Sequence, residues 1–113
     1  MMITIEKLPL SEKAREALEE IRHGLKRDCG VEEIILSGFD PKAEGMPDPD
    51  LDLLVLTNLP ISTTEKQAIY DLTTEINLKY STAISVLVLD KETWEVWSNQ
   101  GLYQKISKNG IWL

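Results

Sequence analysis

Two apolar runs separated by a loop determine the expected fold of this chain. They read Ile34-Ile35-Leu36-Ser37-Gly38-Phe39 and Asp50-Leu51-Asp52-Leu53-Leu54-Val55-Leu56. Each has the length and the apolar composition of a largely buried strand. The ten residues between them, 40–49, include three prolines and Gly45, which favours an exposed, irregular connection. The sequence therefore predicts a strand that ends in a glycine turn and a second strand that begins with two aspartates.

The two aspartates have the spacing of a metal site. Side chains alternate between the faces of a strand, so Asp50 and Asp52 are expected on the same side, about 7 Å apart along the strand. Two carboxylates placed in this way can hold Mg²⁺, which prefers oxygen ligands and keeps positions free for phosphate oxygens. A turn at Gly38 would let those phosphates approach backbone N–H groups closely. The pattern predicts a site for a metal and a phosphorylated ligand.

This arrangement resembles the minimal nucleotidyltransferases of the polymerase-β superfamily. The hallmark of that family is Gly-Ser, a loop and then Asp-x-Asp at the mouth of a strand. Here Gly38-Phe39 is followed by ten residues and then by Asp50-Leu51-Asp52, which reproduces the family's spacing. The similarity extends to 85–94 and 106–111, which look like the family's final strand and closing segment. The resemblance implies an α/β domain of the α+β two-layer kind, with a small mixed sheet and helices packed mainly on one face.

The resemblance also implies an activity and the residues that carry it. The activity is Mg²⁺-dependent transfer of a nucleoside monophosphate, AMP from ATP, to a hydroxyl group of a partner protein. Asp50 and Asp52 take the place of the catalytic, metal-binding carboxylates. Ser37 and Gly38 lie where the family contacts the nucleotide phosphates, and Lys42 falls where many members carry a basic residue.

Two residues depart from the family's pattern. Phe39 replaces the serine that usually contacts the triphosphate, so Ser37 is the nearest hydroxyl that remains. The third metal carboxylate, normally in the middle of the last strand, falls at Ser85. The sequence leaves open whether Asp90 or an acid of the 42–48 loop takes over as the third ligand.

A chain of 113 residues has room for one domain, 1–113, and for little else. Minimal nucleotidyltransferases are often paired with a small helical protein of the HEPN type, a ribonuclease toxin, and the resemblance implies such a partner, with this chain as antitoxin. The alternative is a catalytically degenerate relative that neutralises its partner by binding alone. A stand-alone transferase acting on a small molecule is a weaker reading.

Composition narrows the partners and the location. The net charge of −7 argues against non-specific binding of nucleic acid, where Lys and Arg supply most of the affinity. No apolar run approaches the ~20 residues that span a bilayer, and the N-terminus does not resemble a secretory signal. Cys29 is the single cysteine, which suits a reducing cytosol, and we read it as a packing residue because His23 is the lone histidine. The expected location is cytoplasmic.

The remaining elements follow from periodicity and capping signals. Ser11 to Asp28 predicts an amphipathic helix, and the capping box at Ser62 predicts another that runs to about Lys79. Thr82 to Leu89 is almost entirely apolar or β-branched, which predicts a central strand covered on both faces. Asp90 is expected to cap a short helix bearing Trp94 and Trp97. The other expected elements are strands at Val31 to Ser37 and Leu51 to Thr57 and a short helix at Leu102 to Lys108.

Overall fold

The computed structural model of the chain describes residues 5–8, 10–38, 51–58, 60–97, 100–101, 104, 106 and 110–113. These residues form a mixed four-stranded sheet and three α-helices, which confirms the predicted fold class. A 3₁₀ turn at Ile5–Lys7 comes before the first helix. The elements are α1 (Glu12–Asp28), β1 (Val31–Gly38), β2 (Leu51–Thr57), α2 (Thr63–Tyr80), β3 (Ile84–Asp90), α3 (Lys91–Trp97) and β4 (Ile111–Trp112).

Helix α1 begins and ends where its capping residues predict. The Ser11 hydroxyl accepts a hydrogen bond from the backbone N–H of Ala14 at 3.1 Å, which satisfies one of the free donors of the first turn. The helix ends at Cys29, and Gly30 follows with a φ of +64°, a conformation that glycine adopts without strain. Its buried side contains the four apolar residues whose spacing predicts the helix, together with Ala17 and Gly24; those four are Ala14, Leu18, Ile21 and Leu25.

Helix α2 connects the two parallel strands. Ser62 and Glu65 form the predicted capping box, each side chain bonding the other's backbone N–H, at 3.1 and 3.2 Å. Only Ile69, Thr73 and Ile76 of this helix are buried. A helix with so narrow a buried stripe lies at the margin of the domain, packed against α1 and β3.

The sheet has the order β3-β2-β1-β4. Strand β2 pairs with β3 in parallel, without interruption, from Leu51↔Ile84 to Thr57↔Asp90. Strand β1 pairs antiparallel with β2, and its register shifts twice, between Val31 and Glu33 and between Leu36 and Gly38. The register of the parallel pair is therefore regular, whereas β1 contains two local irregularities.

Each face of the sheet has its own core. Leu53 and Val55 of β2 point to the face covered by α1 and α2, where they join Leu18, Ile21 and other residues in the larger cluster. Leu54 and Leu56 point to the opposite face and pack with Ile35 and Trp94 in a smaller cluster. The helices thus lie mainly on one face, as predicted, and α3 covers part of the other through Trp94.

Strand β3 departs from the prediction. It stands at the end of the sheet order rather than in the centre, and its Leu87 side chain remains 47% exposed. The apolar composition of Thr82 to Leu89 predicts a strand covered on both faces. Parallel pairing with β2 and burial of Ile84 and Val88 are enough to explain that composition in an edge strand. Trp94 is buried, whereas Trp97 is 41% exposed. The helix expected over 102–108 lies mostly outside the described residues.

No helix in the described part of the chain is both long enough and apolar enough to cross a membrane.

Candidate functional site

The predicted site lies at the end of the sheet where β2 begins. Three strands meet there in register, because Asp52 is opposite Gly38 of β1 and also opposite Ser85 of β3. Residues directly opposite each other on neighbouring strands project to the same face. The Asp52 side chain is exposed, between the buried Leu51 and Leu53, which point the other way. Gly38 and Asp52 therefore lie directly opposite each other on neighbouring strands.

A β-bulge shapes the approach to this site. Leu36 is opposite Leu53 and Gly38 is opposite Asp52, so Ser37 is one extra residue on β1. The Ser37 hydroxyl donates a hydrogen bond to the backbone carbonyl of Asp52 at 3.1 Å. Ser37 was predicted to contact phosphate, but its proton is already committed to holding the bulge against β2. A phosphate contact from this hydroxyl would require that bond to open.

Ser85 occupies the third position of the site. It is exposed and lies directly beside Asp52 on the parallel strand. A serine hydroxyl is a neutral ligand and cannot supply the charge of a carboxylate. Asn77 holds the start of β3 just before Ser85. The Asn77 side-chain amide donates to the Ile84 carbonyl and accepts from the Ile84 N–H, both at 2.9 Å.

Asp90 cannot serve as the missing ligand. Thr57 is opposite Asp90, five positions from the Asp52–Ser85 pair, which separates the two aspartates by about 16 Å along the strands. The Asp90 carboxylate instead caps α3, accepting from the Thr93 hydroxyl at 2.7 Å and from the Thr93 N–H at 3.0 Å. These bonds, the hydroxyl first, hold the pKa of the Asp90 carboxyl below its usual value.

Three residues of the predicted site lie outside the described residues. They are Asp50, Lys42 and Phe39. The described end of the site thus consists of the Gly38 backbone, Ser37, Asp52 and Ser85. Within the described ranges, no group of three or more His, Cys, Asp or Glu side chains comes together to hold a metal ion.

The donor set fits a hard cation in kind, because carboxylate and hydroxyl oxygens are ligands that Mg²⁺ accepts. Its charge is low, because Ser85 is neutral. Asp52 is the one carboxylate that the described part of the chain places at this end, and Asp50 precedes it in the sequence. Among the described residues, a cation here would have the Asp52 carboxylate for charge neutralisation, because Asp50 and the acids of the 42–48 loop, the other candidate source of a third ligand, lie outside the described residues.

Two concave surfaces among the described residues lie away from Asp52. A groove of about 530 Å³ runs beside α1 and is lined mainly by Glu12, Glu16, Glu19, Glu20, Arg15 and His23. A cavity of about 290 Å³ lies at the far end of β2, between Cys29, Thr57 and Ile61. Burial raises the pKa of the Cys29 thiol, which disfavours the reactive thiolate. This agrees with reading Cys29 as a packing residue.

Comparison of the chain with protein-family models, with curated proteins and with solved structures gave no match.

Asn77 is a residue of this end that the sequence reading missed. Its side-chain oxygen also accepts from the Thr82 hydroxyl at 2.9 Å, so one amide organises the turn from α2 into β3. A signal was present, because asparagine is a poor interior helix residue and usually bonds backbone groups near a helix end. It was read only as part of a continuing helix.

Proposed function

We propose that this protein is a Mg²⁺-dependent nucleotidyltransferase of minimal size, which moves AMP from ATP to a hydroxyl group of a partner protein. The observation that carries the proposal is the pairing of Gly38 with Asp52 on neighbouring strands at one end of the sheet. This is the arrangement expected if the glycine turn receives phosphates and the aspartates face them. The proposed partner is a small helical ribonuclease toxin of the HEPN type, and the proposed place of action is the cytosol.

The chain's own residues have distinct roles in this proposal. Asp52, together with Asp50, would hold the cation and orient the phosphates, and the backbone at Gly38 would let the triphosphate lie close to β1. Bound Mg²⁺ would neutralise charge that develops on the transferred phosphoryl group. The bulge puts Gly38, and not Ser37, opposite Asp52, and the Ser37 hydroxyl is bonded to the Asp52 carbonyl, so Ser37 would position Gly38 rather than contact the substrate.

A second function is favoured by Ser85 and Asp90. Ser85 stands beside Asp52 without a charge, and Asp90 is about 16 Å away along the strands. Under this alternative the chain is a degenerate nucleotidyltransferase that neutralises its partner by binding, and its aspartates are inherited rather than used.

One experiment separates the two functions. The protein is co-expressed with the protein encoded beside it, and labelled AMP transfer from ATP is measured together with relief of toxicity in cells. If Asp50→Asn/Asp52→Asn abolishes both, the enzyme function stands. If the double variant still relieves toxicity as well as the parent, binding alone is the function. His23→Gln and Cys29→Ser are matched controls, since both lie away from the aspartates and should retain labelling.

A further inference from the structure

Strand β3 is an open edge of the sheet. In the described sheet it pairs only with β2, and it is seven residues long, whereas β4 at the opposite edge has two. An open edge presents unpaired backbone N–H and C=O groups that can bind another strand. The question is which groups of β3 are free and what would bind them.

One hydrogen bond fixes the direction of every backbone group in β3. The Leu51 N–H donates to the Ala83 carbonyl at 3.1 Å. In a parallel pair the bonded residues alternate, so Ser85, Leu87 and Leu89 direct their backbone groups to β2, and the even-numbered residues direct theirs outward. The outward groups of Ile84 are bound by the Asn77 amide, as this alternation requires. Val86 and Val88 have no such partner in the described part of the chain.

The sequence devices that protect an edge strand are missing between Ile84 and Leu89. This stretch contains no charged residue, proline or glycine, and its pairing with β2 has no bulge. Natural edge strands normally carry at least one of these devices against strand addition. Leu87, in the middle of this stretch, is one of the exposed large apolar side chains among the described residues.

We propose that β3 pairs antiparallel with β3 of a second copy of this chain, about a two-fold axis at Leu87, to give a continuous eight-stranded sheet. In this register Val86 of each copy exchanges both backbone hydrogen bonds with Val88 of the other. Leu87 lies opposite its own equivalent in the non-hydrogen-bonded position, where side chains are closest. The edge is therefore complementary to itself, as a two-fold interface requires.

The charges of the chain are compatible with this pairing. Asp90 is the first acidic residue after the apolar stretch, and the antiparallel arrangement puts the two Asp90 residues at opposite ends, about 20 Å apart. That distance exceeds the Debye length of about 8 Å at physiological salt. Overall repulsion between two copies of net charge −7 remains, so added salt strengthens the dimer. A basic protein bound at the same edge would show the opposite salt dependence.

The first test measures mass in solution by sedimentation over about a hundred-fold range of protein concentration. The parent is expected to rise from 12.8 kDa toward twice that mass, and to do so at lower concentration when salt is added. Val86→Pro removes an outward N–H and leaves the bonds to β2 intact, so it should weaken the dimer at least about tenfold. Leu87→Lys should do the same by adding charge at the axis. Leu78→Lys, on the solvent side of α2, is the matched control and should behave like the parent.

The second test does not depend on how these variants fold. In a Cys29→Ser background, Leu87→Cys puts one cysteine of each copy at the two-fold axis. The Cα atoms of these two cysteines would be about 4.5 Å apart, which is within the range of a disulfide. Mild oxidation should cross-link this variant, whereas Leu78→Cys in the same background should not cross-link. The proposal is overturned if the parent stays monomeric at every protein and salt concentration. It is also overturned if a dimer forms that Val86→Pro and Leu87→Lys do not weaken and that cross-links equally in the Leu87→Cys and Leu78→Cys variants. The nucleotide site uses other groups, so its failure and that of the dimer are separate results.

Discussion

The two ends of the β2–β3 pair each carry an aspartate, and the fold uses the two carboxylates differently. Asp90 is bound by the hydroxyl and the N–H of Thr93, and it starts α3. Asp52 is exposed and has no hydrogen-bond or ion-pair partner among the described residues, although its backbone carbonyl holds the Ser37 hydroxyl. A carboxylate that has found a partner within the fold stabilises structure, and one that has not remains available to a ligand.

The largest expected contrast between the ends is in nucleotide binding. Asp52→Asn should weaken binding of Mg²⁺-ATP by about ten- to a hundred-fold, because it removes a charged contact. Asp90→Asn should leave that affinity unchanged, since Asp90 lies at the other end of the strands. Isothermal titration calorimetry of the parent and both variants measures the difference. Under the proposed function the parent itself should bind more weakly than micromolar, because Ser85 supplies no charge beside Asp52. Equal losses in both variants would contradict the assignment.

The structural support of the Asp52 end should appear as stability. Asn77→Ala leaves the outward backbone groups of Ile84 and the Thr82 hydroxyl without their partner. The free energy of unfolding should fall by about 1–3 kcal/mol, as expected when buried polar groups lose a bond. Gln67→Ala on the exposed side of the same helix is the matched amide control and should change it by less than about 0.5 kcal/mol. Urea denaturation of both variants measures the effect, and equal stabilities would show that Asn77 does not hold β3.

A carboxylate added at position 85 should increase the difference in metal binding between the two ends of the strands. Ser85→Asp places a third acid beside Asp52, and the affinity for Mg²⁺ should rise about tenfold, since the site gains a charged oxygen ligand. Thr74→Asp adds the same charge on an exposed turn of α2 and controls for net charge. Metal titration of both variants, with and without ATP, measures the gain. A rise of equal size in Thr74→Asp would mean that overall charge, and not position, draws the cation.

The smallest expected effect is the pH dependence of stability at the Asp90 end. Because hydrogen bonds from Thr93 lower the pKa of the Asp90 carboxyl in the folded protein, the ionised form stabilises the native state. That contribution is present above the ordinary pKa of 3.8 and is lost as the pH falls through the lowered folded-state pKa. The difference in thermal stability between the parent and Asp90→Asn should therefore shrink on acidification below about pH 4. A difference that grows in acid would refute the role of the ionised carboxylate.

Local signals predicted most of the fold. Ser11, Ser62 and Gly30 mark helix ends through bonds to neighbouring residues, so they can be read from the sequence alone. The strands at Val31–Gly38 and Leu51–Thr57 followed from their apolar runs. The position of β3 could not be read in this way, because an edge strand in a parallel pair and a central strand have similar compositions. Only the pairing partners distinguish them.

The candidate site was predictable in part for the same reason. Gly38 and Asp52 lie on consecutive strands with a recognisable spacing, and they are directly opposite each other. Three features depend on strand register and on contacts across the sheet. They are the bulge at Ser37, the hydrogen bonds of Asn77 to Ile84 and the distance between Asp90 and Asp52. None of these leaves a periodic trace in the sequence. The function itself remains a proposal that the variants above can test.

The bulge at Ser37 has a consequence for how this chain can change in length during evolution. Leu53 and Asp52 are adjacent on β2, but their partners Leu36 and Gly38 are separated by Ser37. Deletion of Ser37 would therefore regularise the ladder while Gly38 stayed opposite Asp52. A one-residue deletion within β2 or β3 would instead transfer every following side chain to the other face of the sheet. Descendants of this sequence can therefore lose Ser37 and keep Gly38 opposite Asp52, whereas a deletion within β2 or β3 would break the register of the parallel pair.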